Sequence, residues 1–282
     1  MRVNQEGLLE RMRSEKPLIH CITNYVTAGE VANYLLAAGA SPVMAEGPRE
    51  VEEIAASARA LVLNLGTLQE EKLPAMELAG KKAASLGRPV VLDPVGAGGA
   101  SFRTESAKRL MQMIPCTVIR GNASEILALA EERHTAYGVD AGEKDMLTDE
   151  NLRRHIQAAQ NLSRTSGAVV IMTGKADLVA DAKRYCLVRN GHPMMARITG
   201  TGCMLDALTA AFLSVAPETE GEQTDIFGKA VYAAAAHGIC GELAWERTKE
   251  QEGGAGSFRV HFFDAVSMLT DRQIQEGARI EI

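Results

Sequence analysis

The sequence predicts an α/β fold, a central and mostly parallel sheet with helices on both faces. Three observations lead there. Continuous apolar runs such as Ala60-Leu61-Val62-Leu63-Asn64-Leu65 and Ala168-Val169-Val170-Ile171-Met172 are strands of the kind buried on both faces of a parallel sheet. Segments of helical periodicity separate them, so strand and helix alternate along the chain. Several runs end in polar residues or glycine, at Thr23-Asn24, Asn64-Leu65-Gly66, Asp93, Arg120-Gly121-Asn122 and Thr173-Gly174. A parallel sheet gathers such ends along one edge, where ligands bind in open α/β sheets.

Taken in order, residues 1–16 read as a helix with Leu8, Leu9 and Met12 on one side, and Leu18–Thr23 as the first strand. Thr27–Ala38 is helical, Ser41–Met44 a short strand and Glu50–Arg59 a small helix. The strand Ala60–Gly66 precedes a helix over Glu70–Leu86, with Pro74 tolerated near its start. Pro89–Asp93 is a strand, Phe102–Met113 a helix, Thr117–Arg120 a strand and Gly121–Glu125 the entry to a helix that runs to about Glu132. Arg133–Asp145 reads as a polar surface loop and Asp149–Arg164 as a helix. After the strand Ala168–Gly174, the segments Asp177–Ala180 and Tyr185–Val188 form a hairpin around Asp181-Ala182-Lys183. Phe227–Trp245 is a long Ala-rich helix and Ser257–Asp271 a last one. No shift in composition marks a linker, so residues 1–282 are read as a single domain.

The chain has 282 residues, 46% of them apolar, with a formal net charge of -6. That length supports a sizeable core. No basic block interleaved with aromatics appears, which argues against nucleic acid as a partner. No apolar run is long enough for a bilayer, and the N-terminus lacks the apolar centre of a signal peptide. The five cysteines are odd in number, widely spaced and never C-x-x-C. This pattern fits reduced thiols and a cytoplasmic location.

The most informative stretch is Ile198-Thr199-Gly200-Thr201-Gly202-Cys203, with an apolar run from Met204 to Leu213 behind it. Met204, Leu205, Leu208, Ala211 and Phe212 share one helical face, so the glycines stand at a helix start. Bare amides and the positive end of the helix dipole favour an anion there. Gly200, Thr201, Gly202 and Cys203 are read as an anion hole for a transferring phosphoryl group; a Gly-rich turn opening a helix, with Cys203 a small buried hydrophobe, is the plainer alternative. Cys203 would face the attacking hydroxyl, and the helix start would favour its thiolate. Asp93 closes a buried strand before a glycine loop and can hold Mg²⁺ against nucleotide phosphates. A turn-forming Asp before Pro94 is the plainer alternative. Glu125 follows Asn122 by three residues, which fits either a second acid or a capping box.

Six ordered motifs make the chain resemble the hydroxyethylthiazole kinases of the ribokinase-like superfamily. They are His20-Cys21-Ile22-Thr23-Asn24, Gly39-Ala40-Ser41-Pro42-Val43-Met44-Ala45, Asp93-Pro94-Val95-Gly96-Ala97, Arg120-Gly121-Asn122 with Glu125, Thr173-Gly174-Lys175-Ala176-Asp177 and Gly200-Thr201-Gly202-Cys203. Gly256-Ser257-Phe258 near the end also fits. The resemblance implies ATP-dependent phosphorylation of the primary hydroxyl of the thiazole alcohol used in thiamine synthesis. It implies Mg²⁺, and a homotrimer with active sites between subunits. Met44 and Gly200 match positions that contact the thiazole, and Asn24 is added to that pocket. Arg120 and Thr173 match positions that contact ATP, and Asp93 and Glu125 the metal–phosphate acids. Cys203 matches the position where most ribokinase relatives carry an aspartate base. Asp206, one turn beyond, reads as a polar residue flanking the site, with tuning of the thiol or an alternative base as the other readings. The family commonly has an asparagine near Gly29 and a histidine near Glu46, where this chain departs.

The runner-up is another small-alcohol kinase of that fold, such as a hydroxymethylpyrimidine kinase. A Rossmann dehydrogenase is disfavoured because Leu205 stands where G-x-G-x-x-G needs its third glycine, and because Glu218 and Glu220 lie in a Pro-Glu-Thr-Glu loop. A P-loop is disfavoured because Gly174-Lys175 lacks both the upstream glycine and the following Ser or Thr.

Overall fold

The computed structural model describes residues 5–131, 151–216 and 224–282. The expected loop over Arg133–Asp145 and the Pro217–Glu220 segment lie outside these. Among the described residues nine strands form one sheet: β1 (Leu18–Ile22), β2 (Ser41–Val43), β3 (Ala60–Asn64), β4 (Val90–Asp93), β5 (Val118–Asn122), β6 (Val169–Thr173), β7 (Asp177–Ala180), β8 (Tyr185–Val188) and β9 (Ile280–Glu281). Their spatial order is β2-β1-β3-β4-β5-β6-β7-β8-β9. Pairing is parallel from β2 to β6 and antiparallel from β6 to β9. The expected hairpin is therefore the antiparallel extension of a parallel sheet.

Side-chain alternation gives the sheet two apolar faces. In β3, Ala60 and Val62 enter one core while Leu61 and Leu63 enter the other; in β6, Ile171 and Met172 divide the same way. The first core is covered by α1 (Leu8–Glu15), α2 (Ala28–Ala38), α8 (Thr201–Leu213), α9 (Ile226–Glu250) and α10 (Ala255–Met268). The second is covered by α3 (Val51–Ser57), α4 (Lys72–Ser85), α5 (Ser101–Met113), α6 (Ala123–Ala130) and α7 (Leu152–Ser166). Helices on both faces give the expected layered α/β architecture.

The helix after β1 covers one face and the helix after β3 covers the other. Adjacent strands whose connections leave in opposite directions open a crevice beyond their carboxyl ends. Here that crevice lies beyond β1 and β3, and the N-terminus of α8 meets it.

Three elements were not anticipated: α11 (Asp271–Gly277), strand β9, and a 3₁₀ turn over Pro193–Arg197. Each is too short to carry a periodic signal. The expected amphipathic stripe on α8 is also replaced by something broader. Met204 through Leu213 are all buried, Asp206 and Thr209 included. The helix is enclosed by the sheet, α2 and α9, so its burial extends around the whole helix.

Candidate active site

The parallel register sets polar strand ends side by side. Asn64 of β3 lies opposite Asp93 of β4, and Asn122 of β5 opposite Thr173 of β6. Asn24, just beyond β1, donates from Nδ2 to Asn64 Oδ1 at 3.1 Å. Asn64 Nδ2 in turn donates to Asp93 Oδ2 at 2.6 Å. The Asn24 carboxamide oxygen accepts from the Thr27 amide and hydroxyl at 3.1 and 3.0 Å. A buried row of amides and carboxyl thus crosses the crevice.

Gly200 caps α8 with φ +89°, a conformation that glycine reaches without strain. A Cβ there would also lie 2.9 Å from Thr27 Cγ2. Met204 N is the first amide to find an intrahelical acceptor, Gly200 O at 2.8 Å. The amides of Thr201, Gly202 and Cys203 precede it and have no intrahelical partner. Gly200→Ala is expected to cost about 1–3 kcal/mol from the left-handed backbone alone. Chemical denaturation should register that loss, together with a fall in nucleotide affinity as the turn shifts.

Arg120 is the electrostatic centre. Nη1 bonds Asp93 Oδ2 at 2.9 Å, Nη2 reaches Thr173 Oγ1 at 3.3 Å, and Nε stands 3.8 Å from Asp206 Oδ1. The Nη1/Nη2 edge of the guanidinium faces Gly202, where an added Cβ would lie 2.6 Å from Nη1 and 2.7 Å from Cζ. Burial works against the Arg120 charge, yet Asp93, Asp206 and Glu125 hold it above its ordinary pKa. Burial raises the Asp93 pKa well above the usual carboxylate range, and Asp206 raises it further. Asp206 is raised as well, chiefly by burial.

Glu125 forms the capping box that its spacing allowed. Its amide donates to Asn122 Oδ1 at 2.9 Å, and Oε2 accepts from the Asn122 amide at 2.8 Å. Oε1 accepts from the Gly96 amide at 2.8 Å, which ties the glycine loop after β4 to α6. Burial, then Asp93, lifts its pKa to about 7.

Cys203 Sγ receives the Asn24 and Asn64 amide groups at 3.3 and 3.4 Å. The expectation that the helix start would favour the thiolate is corrected here. Burial, reinforced by Asp93 and Asp206, pushes the thiol up to about 11. A helix dipole is worth about half a unit charge at its end, and two buried carboxyls outweigh it. Alkylation of Cys203 by iodoacetamide should accordingly be slow at pH 7 and rise about tenfold per pH unit toward pH 10. Peptide mapping would check this, and a plateau below pH 9 would contradict it.

Of the sequence readings of Asp206, tuning of the thiol fits better than a flanking place, since Asp206 helps raise the pKa of the Cys203 thiol. It is 0% exposed and sits within the cluster. Asn64 was missed as a site residue, although its place at the end of a buried strand was visible.

Beside the cluster lies a cavity of about 780 Å³, within the range of small-molecule sites. Arg120, Thr173, Gly202, Asn190, His192 and His237 are among the residues lining it. Arg120 and Gly202 form its inner wall, with Asp93 and Cys203 beyond. Of the residues singled out from sequence, Arg120, Thr173, Thr201 and Gly202 line this cavity. Asn24, Asp93 and Cys203 cluster behind it, and Met44 packs, half-buried, at the edge of the first core. His192 stacks on Trp245 with ring centroids 4.5 Å apart.

The sequence profile described as the hydroxyethylthiazole kinase family matches residues 9–272. The chain belongs to this family. It is 44% identical to a hydroxyethylthiazole kinase of Clostridium acetobutylicum over 273 residues, covering 97% of each chain. The solved structure of a hydroxyethylthiazole kinase protein from Pyrococcus horikoshii superposes with a TM-score of 0.83 at 35% identity, covering 98% of this chain and 97% of that one. A ribokinase-like superfamily protein of Enterococcus faecalis is similar with a TM-score of 0.55 at 13% identity, covering 90% of this chain and 89% of its own. At that identity the likeness concerns the fold alone. As a member of the hydroxyethylthiazole kinase family, the chain is a kinase with ATP as co-substrate, and the reading as a pyrimidine-alcohol kinase is set aside.

Proposed function

We propose that the 282-residue chain works as one cytoplasmic kinase domain that moves the γ-phosphoryl group of ATP to the primary hydroxyl of the thiazole alcohol. The observation that carries this reading is the meeting of Arg120, Asp93 and Cys203 at the bare amides of α8. The cavity on the outer side of Arg120 takes the nucleotide, with Thr173 and Arg120 toward its phosphates. The alcohol enters on the inner side, between Asn24, Met44 and Gly200, with its hydroxyl toward Cys203.

Phosphoryl transfer proceeds through a loose transition state, so positioning and charge stabilisation matter more than a strong base. Arg120 and the amides of Gly202 and Cys203 supply positive charge where the transferred group passes. Asp93 fits a magnesium ion, since its Oδ1 is buried and has no hydrogen-bond partner. Glu125, in the first turn of α6, would support that ion, although both of its oxygens already accept backbone amides. When bound, Mg²⁺ would neutralise phosphate charge. Asn24 and Asn64 hold the sulfur of Cys203 in place; only its thiolate form can take the alcohol's proton, becoming the neutral thiol as the new oxygen–phosphorus bond forms and the bond to ADP breaks. The homotrimer with active sites between subunits is proposed on the family resemblance.

ADP release on a panel of hydroxylated azoles and pyrimidines tests the substrate. The thiazole alcohol should be the preferred acceptor by more than tenfold. Replacing Cys203 by Asp should keep or raise kcat, because an ionised carboxylate accepts a proton where a thiol of pKa near 11 does so poorly. Cys203→Ala should lower kcat; full activity in that variant would remove the sulfur from the reaction.

A further inference from the structure

Asp206 has no part in the phosphoryl transfer described above, yet it is a fully buried acid in the crevice. It is 0% exposed and lies against the Asp93 carboxyl and the Asn64 amide, with Arg120 Nε 3.8 Å from Oδ1; beyond these neighbours neither of its oxygens, nor Asp93 Oδ1, finds a well-formed hydrogen bond. Buried carboxylate oxygens without partners are rare and call for an ion, a proton or water. The charge balance agrees. Asp93, Asp206 and Glu125 are three buried carboxyls, and Arg120 is the guanidinium that serves all of them.

We propose that Asp93, Asp206 and Cys203 form a binding site for one thiophilic divalent cation of the zinc class. One donor atom from each lies within 4.8 Å of the other two. Donor atoms on a tetrahedral zinc ion stand about 3.3–3.8 Å apart, given bond lengths near 2.0–2.3 Å, so side-chain rotations that draw the three atoms together close the set. Arg120 leaves room for it, since its short bond goes to Asp93 Oδ2 and the orphaned oxygen is Oδ1. A mixed carboxylate and thiolate donor set suits a borderline ion better than magnesium. The Asn24 and Asn64 amides, at 3.3 and 3.4 Å from Sγ, would stabilise the thiolate as outer partners.

Binding forms a metal–sulfur bond and releases the thiol proton to solvent. The ion shares Asp93 with the proposed magnesium site but is set apart by sulfur and Asp206. If Cys203 faces the alcohol, an ion on its sulfur also stops phosphoryl transfer. That consequence rests on the proposed function, whereas the binding itself does not.

Cobalt(II) is the probe. The full chain, free of nucleotide and magnesium, is titrated with cobalt chloride while the near-ultraviolet cobalt–thiolate charge-transfer band is recorded. One equivalent should saturate the band in the unsubstituted protein. Cys203→Ser should lack the band, and Asp206→Asn should need about tenfold more cobalt, the size of loss seen even for outer partners of a metal. Circular dichroism checks each fold, and Asp93→Asn replaces Asp206→Asn should the latter fail to fold. Three results would overturn the site: no band at millimolar cobalt, a band that survives Cys203→Ser, or an unchanged titration in the folded aspartate variant. Because the readout is spectroscopic, a failed kinase assay leaves it intact, and a failed titration leaves the kinase reading intact.

Discussion

Arg120→Ala is expected to lower kcat/KM by roughly a thousandfold or more, the scale seen when an arginine that stabilises phosphoryl-transfer charge is lost. Its three contacts explain the size of the effect. Nη1 binds Asp93, Nη2 reaches Thr173, and the Nη edge faces Gly202 at the start of α8. Alanine removes the cation from the inner wall of the cavity and leaves Asp93 and Asp206 without their shared partner. Breaking a buried ion pair from one side typically costs about 3–5 kcal/mol. Part of that loss is recovered when the two carboxyls take up protons, so the melting temperature should fall more at pH 8 than at pH 6. Arg120→Lys should recover little activity, because an ammonium cannot reach Asp93 and Thr173 from one planar group. Steady-state kinetics with separate variation of ATP and alcohol would check the assignment. An Arg120→Ala enzyme within tenfold of the parent would place the charge stabilisation elsewhere.

Asp93→Asn should give the opposite pairing of effects. Activity should fall by roughly a hundred- to a thousandfold, the range found when one well-placed charge-stabilising group is removed. Stability should hold or rise. Asp93 and Asp206 are buried together and each is driven toward protonation, so a neutral amide removes a like-charge conflict. The sign follows from linkage. A carboxyl with a raised folded pKa binds more protons in the folded than in the unfolded chain, so stability falls as pH rises from the unfolded value through the folded one. Asn at this position should flatten that decline. A variant that loses both activity and stability would mean that Asp93 mainly holds the strand ends together through Asn64 and Arg120.

Much of the architecture could be read from local pattern. The strands Ala60–Asn64 and Val169–Thr173 were visible as unbroken apolar runs, and the helix after Gly200 as a glycine turn before an apolar run. Those signals work because a strand buried on both faces and a helix start each impose a local composition. Glu125 was legible in part, since Asn122-x-x-Glu125 admits a capping box and the structure forms one. The short 3₁₀ turn before α8 was not legible, because five residues cannot display a period.

Residue types and spacing were enough to reveal the alternating strands and helices, the anion-binding turn and the family resemblance, since each is written within a few consecutive positions. The burial of Asp206, the bridge made by Arg120 and the reluctance of the Cys203 thiol to ionise depended on the folded arrangement. Those properties arise where β3, β4, β5 and α8, far apart in the chain, bring charges out of water together. The energy of a charge is set by the neighbours and the solvent it retains, and the tertiary fold alone supplies both.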